Sequence, residues 1–130
     1  MRLKNLKIKK IEILGGWSSE NPNILAYYDE PLLYIGTIND EEQLYLFKLH
    51  DRGGDAESGG WNETFAVEIN EDVAQNLRSN ASGPEEEWCV YEMFDDLAQN
   101  NKAALLIRED RDGYTCESIS HQKVLEMESQ

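Results

Sequence analysis

Two runs rich in β-branched and aromatic residues, LLYIGTI (32–38) and LYLFKLH (44–50), stand on either side of NDEEQ. Such a pair predicts an antiparallel hairpin with a connecting loop of about four or five residues. Asn39 and Asp40 supply the turn, because both side chains tolerate left-handed backbone. Ile24 to Tyr28 reads as a short strand leading into this hairpin, with Pro31 marking the corner. Upstream, LKIKKIEIL (6–14) alternates in part, and its phase slips at Lys9-Lys10. A slip of that kind predicts a strand with a bulge or a bend.

Residues 51–60 (DRGGDAESGG) contain four glycines and no large apolar side chain, so they read as a flexible connection. WNETFAVEI (61–69) returns to the sheet. Asn70 followed by Glu71 and Asp72 predicts a capped helix over 71–79, since acids suit the positive end of a helix. Pro84 and the acids at 85–87 open a second helix. In it Trp88, Tyr91, Phe94 (or Val90) and Leu97 recur at helical spacing. ALLIRED (103–109) and YTCESI (114–119) then flank Asp110-Arg111-Asp112-Gly113, a second hairpin with Asp-Gly at its tip. The end, 121–130, is read as a frayed tail or a short helix capped by Ser120. The expected fold is α+β: one domain over 1–130, with a mostly antiparallel sheet and two short helices packed on it.

Part of this pattern resembles a family of small uncharacterised bacterial and phage α+β domains. The likeness covers about residues 24–98. It is carried by YYDEPLLYIGTINDEEQLYLFKLHD (27–51), by FAVEINEDVAQNL (65–77) and by EEEWCVYEMFDDLA (86–98). It implies a compact α+β domain and brings no catalytic residue with it.

The charges are sorted along the chain. The first ten residues hold Arg2, Lys4, Lys7, Lys9 and Lys10 and no acid. All 26 acids follow, against the other seven of the 12 bases, and the formal net charge is −14. An excess of this size bears on solubility and partners rather than on architecture. It disfavours nucleic acid and anionic membranes and favours a partner protein with a basic surface. With 40% apolar residues, three Trp, six Tyr and three Phe, the chain still has the composition of a folded domain. No stretch approaches the ~18 apolar residues of a membrane span, and the N-terminus does not read as a secretory signal. The expected location is the cytoplasm, with Cys89 and Cys116 as free thiols.

No motif with specific chemistry stands out. Cys89, Cys116, His50 and His121 lack the close pairing of a zinc site. Asp110-x-Asp112-Gly113 fails as a calcium loop, because the fifth position is Tyr114 and the twelfth is His121. Gly53-Gly54 and Gly59-Gly60 lack the lysine of a phosphate cradle. No cofactor, metal or catalytic residue is expected.

The segment 85–96 (EEEWCVYEMFDD) holds six acids and no base. Its candidate partner-binding residues are Glu85, Glu86, Glu87, Glu92, Asp95 and Asp96. Two readings of them stay open: the solvated back of a helix whose apolar stripe packs on the sheet, or a docking face for a basic partner. The reading for the whole chain is a small acidic non-enzymatic protein-binding module, an inhibitor or an immunity or counter-defence protein. The alternatives are a nucleic-acid mimic and an enzyme of unknown class. One outcome is set by charge alone: a gel-shift titration with DNA or RNA should show no micromolar binding, since no basic and aromatic residues interleave as stacking platforms require.

Overall fold

The computed structural model describes residues 7–28, 30–53, 61–81, 87–110 and 112–129. Strand β1 is Ile11–Ile13, β2 is Ile24–Tyr28, β3 is Glu30–Ile38, β4 is Leu44–Gly53 and β5 is Trp61–Ile69. Helices α1 (Glu71–Asn80) and α2 (Glu87–Asn101) follow, then β6 (Ala103–Asp110), β7 (Gly113–Ser120) and α3 (His121–Glu128). All seven strands form one antiparallel sheet in the order β1-β3-β4-β5-β6-β7, with β2 also paired to β3. The fold is α+β as expected, with both hairpins where the turn residues place them. Among the described residues it has three helices, not two. The segment 121–128 is not a frayed tail: Ser120 caps α3 by accepting from the Lys123 N–H at 3.1 Å, and Val124 and Met127 are buried beneath it.

The first hairpin turns where expected. Asn39 and Asp40 both take left-handed backbone, with φ of 57° and 61°. Residues 51–53, expected to be loop, extend β4 and pair with 61–63 beyond an irregularity after Leu49. The remainder of that expected loop, 54–60, lies outside the described residues. The expected strand over 6–14 is shorter than its alternation suggests, since among the described residues of that range only Ile11–Ile13 form the strand that pairs with β3. Asn39 replaces the missing ladder: its side chain accepts from the Lys9 and Lys10 N–H groups and donates to the Lys7 carbonyl. One side chain thus ties the basic segment to the turn.

Strand alternation puts apolar residues on both faces of the sheet. Leu33, Ile35, Leu46, Phe65, Val67 and Leu106 face the helices, which contribute Ala74, Leu77, Val90, Phe94, Ala98 and Val124. Tyr45, Phe47, Ala66, Leu105 and Ile107 point the other way, where no helix lies among the described residues. They are nevertheless almost wholly buried. The sheet curls into a half-barrel, so that Ile8 and Ile11 from one edge join Tyr114 and Cys116 from the other in a second core. The sheet therefore stands between α2 and the Cys116 side chain, which is a free thiol.

Gly36 permits the tight approach of β1 that this curl requires. A Cβ there would fall inside the van der Waals envelope of the Glu12 carbonyl oxygen and 3.1 Å from Phe47 Cε2. Backbone cannot swing aside as a flexible side chain can. Gly36→Ala should therefore cost about 1–3 kcal/mol or more, the range of core overpacking. Urea unfolding of this variant with an unchanged midpoint would contradict that role.

Candidate functional site

The inside of the curl is not completely filled. A cavity of about 420 Å³ opens beneath β1 and the segment that follows it. That is within the roughly 300–1,000 Å³ of small-ligand pockets. Sheet register builds its floor. Leu49 pairs with Thr64 and Thr64 with Ile107, giving one row across β4, β5 and β6. Asn62, Glu109 and Tyr114 form the next row across β5, β6 and β7. Tyr34 stacks on Phe47 at 5.1 Å between centroids and brings its ring to the same space. Glu30 and Pro31 close one side, and Ile11, Ile13 and Trp17 the other.

The lining is acidic. Among the described residues it includes Glu12, Glu30 and Glu109 and no Lys, Arg or His. Glu12 is compensated from outside by Lys10 at 2.7 Å, which also holds Asp40 at 2.7 Å. Those two carboxylates push the Lys10 ammonium pKa up and keep it charged. Glu109 and the Ile11 backbone lie close enough to the Tyr114 hydroxyl to act on its pKa, and Tyr114 and Ile11 pack against the same inner core. Tyr114 thus bridges the two edges of the half-barrel. Burial, then its contact with Glu109, pushes its pKa up to about 12. Tyr34 is raised further, first by burial and then by Tyr114, Glu109 and Glu30, whose fields converge on its hydroxyl.

At the mouth, Trp17 stacks on Tyr27 with centroids 5.1 Å apart. The two are 58% and 47% exposed, which is unusual for side chains of this size. Trp17 also lines a smaller adjoining hollow of about 190 Å³ with Ser18, Ser19 and Ile24. The loop carrying Trp17 is held by Asn21, which donates to the carbonyls of Leu14 and Gly16, and by Asn23, which donates to Leu14.

Of the acidic residues singled out from the sequence, Glu92, Asp95 and Asp96 lie on α2, across the sheet from the cavity. Glu85 and Glu86 lie outside the described residues. Glu87 opens α2, and its side chain, like those of Trp88 and Cys89, also lies outside them. Glu92 and Asp96 are exposed, one turn apart, and among the described residues neither forms an ion pair. Asp95 is different. It lies 4.0 Å from Lys48, whose ammonium also pairs with Glu128 and sits over the rings of Tyr91 and Phe94. Burial raises the Asp95 pKa, and Lys48 only partly offsets this. Its charge is used inside the fold, where Lys48 joins β4 to α2 and α3. The buried line of α2 runs through Val90, Phe94 and Ala98, with Tyr91 and Leu97 beside it.

The residues with possible soft chemistry remain apart. His50 packs on Phe65 on the helix side, His121 opens α3, and Cys116 lies in the inner core. Burial, with Glu117 nearby, pushes the Cys116 thiol up to about 11, far from a reactive thiolate at neutral pH. Among the described residues no three His, Cys, Asp or Glu are gathered to hold a metal, and no helix is long and apolar enough to cross a membrane. Asp110 and Asp112 form the hairpin tip expected of them, with the Asp112 N–H on the Asp110 carboxylate at 2.8 Å.

No family model, curated protein or solved structure matches the chain. The cavity residues were not singled out from the sequence. A signal was present in LLYIGTI and LYLFKLH, which are apolar on both strand faces and so imply two cores.

The bridge has a pH signature. A tyrosine whose pKa is raised by folding gives stability that is complete below its ordinary pKa of about 10. That stability is lost as pH rises through about 12 for Tyr114. Tyr114→Phe should cost about 1 kcal/mol at pH 7 through the lost polar contacts of its hydroxyl. It should also make the alkaline fall in stability shallower. Urea melts between pH 7 and 12 with parallel curves for both proteins would contradict the bridge.

Proposed function

We propose that this chain is a non-enzymatic binding module of the cytoplasm that caps a basic surface on a partner protein, as an inhibitor or an immunity or counter-defence protein would. The observation that carries this reading is how the charges are used. Several bases are taken up by the chain's own acids: Lys10 by Glu12 and Asp40, Lys48 by Glu128 and Asp95, Arg78 by Glu71, and Arg108 by Glu63, while among the described residues the exposed Lys7, Lys9, Lys102 and Lys123 form no such pair. Exposed acids outnumber these bases, and among the described residues Glu41, Glu42, Asp72, Glu92, Asp96 and Glu126 form no ion pair. Self-repulsion of this surplus costs stability, and a basic partner would relieve it. The acids lie on several strands, turns and helices rather than in one row. That favours general capping over the alternative of a nucleic-acid mimic, which needs phosphate-like spacing.

Glu92 and Asp96 are the α2 residues best placed to serve. Glu92→Lys with Asp96→Lys should slow association with the partner, most visibly at low salt, where the field reaches furthest. The melting temperature should stay level or rise, because like-charge repulsion falls. Asp95→Lys is unsuitable, as it would set a second ammonium beside Lys48. The check is capture from lysate onto the immobilised protein at about 50 mM and about 300 mM salt, with kinetics on whatever is retained. Basic proteins held at low salt and released at high salt, with slower association to the double variant, are expected. A captured protein indifferent to salt and to the reversal would remove this reading.

A further inference from the structure

Among the described residues three large hydrophobic side chains stand in solvent, and two of them touch. Trp17 and Tyr27 form the stacked pair, and the third, Leu125, belongs to α3. Clustered aromatic surface in water is costly, and it marks an interaction site far more often than scattered apolar residues do. We infer that the Trp17–Tyr27 stack is the centre of a two-fold contact through which two copies of this chain associate, ring pair against ring pair. The contact is separate from the capping of a basic surface and does not depend on it.

Charge selects a second copy as the occupant. A two-fold contact needs a patch that is its own complement. A flat, uncharged aromatic surface meets that need, whereas an acidic surface repels its copy. From Ile13 to Tyr28 the one charged residue is Glu20, in a chain where 29% of residues are charged. Two copies, each at a net −14, can therefore come together here with the least opposition. Ser18, Ser19 and Ile24 complete a hollow of about 190 Å³ beside the rings, which gives room for a side chain of the other copy. The surface is set in advance, since Asn21 donates to the Leu14 and Gly16 carbonyls at 2.8 and 2.6 Å and holds the loop that carries Trp17. Little further ordering is then needed on contact. Trp17 also borders the cleft that holds Glu12, Glu30 and Glu109, so the net charge of each copy still acts on the contact. Size sets its strength. With about 150–250 Å² per aromatic side chain, four half-exposed rings supply on the order of 400 Å², well short of the roughly 1,200 Å² of a stable interface. The dimer is accordingly weak and forms only at high concentration.

The test is sedimentation velocity of the full chain from about 10 µM to about 1 mM, the span suited to so small a contact, at about 50 mM and about 500 mM salt. The average mass should climb towards that of a dimer as concentration rises. The dissociation constant should fall about threefold or more at the higher salt, because screening relieves repulsion between like copies. Binding of a basic partner moves in the opposite direction with salt, which separates the two contacts. Trp17→Ala and Tyr27→Ala should each weaken the dimer about tenfold, as truncation of a central aromatic anchor does. Ser19→Glu keeps both rings and sets a like charge at an exposed position beside them, so it should weaken the dimer even if the alanine variants disturb the loop. Glu20→Gln should strengthen the dimer and flatten its response to salt. A chain that stays monomeric throughout would overturn the contact and leave the rings to a different protein. A dimer that survives the ring variants and Ser19→Glu, or one that salt dissolves, would overturn it equally. In each case the capping function would stand.

Discussion

The close approach of β1 to β3 at Gly36 is the constraint from which the rest follows. A flat sheet with this sequence would bury one face under α1, α2 and α3 and leave Tyr45, Phe47, Leu105 and Ile107 in water. Burying each such side chain contributes about 1.5–3 kcal/mol, so leaving several exposed would be untenable for a domain of ordinary stability. The chain solves this by bending the sheet until its two edges meet. Gly36 gives β1 room, Asn39 anchors the segment before it, and Tyr114 of β7 packs with Ile11 of β1 on the inner core. Three local devices close one curve, and the cavity is the space the curve leaves behind.

How much of this was legible depends on the range of the interactions. The hairpins of β3 with β4 and β6 with β7 are written in short alternating runs and turn residues. The Asn70 cap of α1 is equally local, with the Val73 N–H donating to its side chain at 2.9 Å. Helix α3 was ambiguous because Val124 and Met127 alone make a weak stripe, and it is the sheet that gives them something to pack on. The short extent of β1 could not be read, since LKIKKIEIL alternates beyond the residues that pair. What ends the pairing is the bend held by Asn39, some thirty residues away in sequence. The curl itself depends on contacts between opposite ends of the chain, which no window of sequence contains.

The candidate site divides in the same way. The acids of α2 stand out by composition, and composition reports charge without reporting use. Asp95 looked equivalent to Asp96, yet one faces Lys48 and the other faces solvent. Conversely, Glu109 and Tyr114 carry no local signature. They meet because an antiparallel register places them opposite each other on the inner face. Glu30 joins them only after the sheet has bent.

Net charge and the cleft then act at different distances. The surplus of acids is spread over several faces, so its field is broad and can speed encounter without choosing an orientation. Salt at physiological strength screens such a field within about 8 Å. Where water is partly excluded and charge faces shaped walls, the same carboxylate interacts more strongly. Among the described residues, the cleft beneath β1 combines concavity, acids and an exposed aromatic pair. The curl that rescues the second face of the sheet from water therefore also creates, among the described residues, a concave surface lined by Glu12, Glu30 and Glu109.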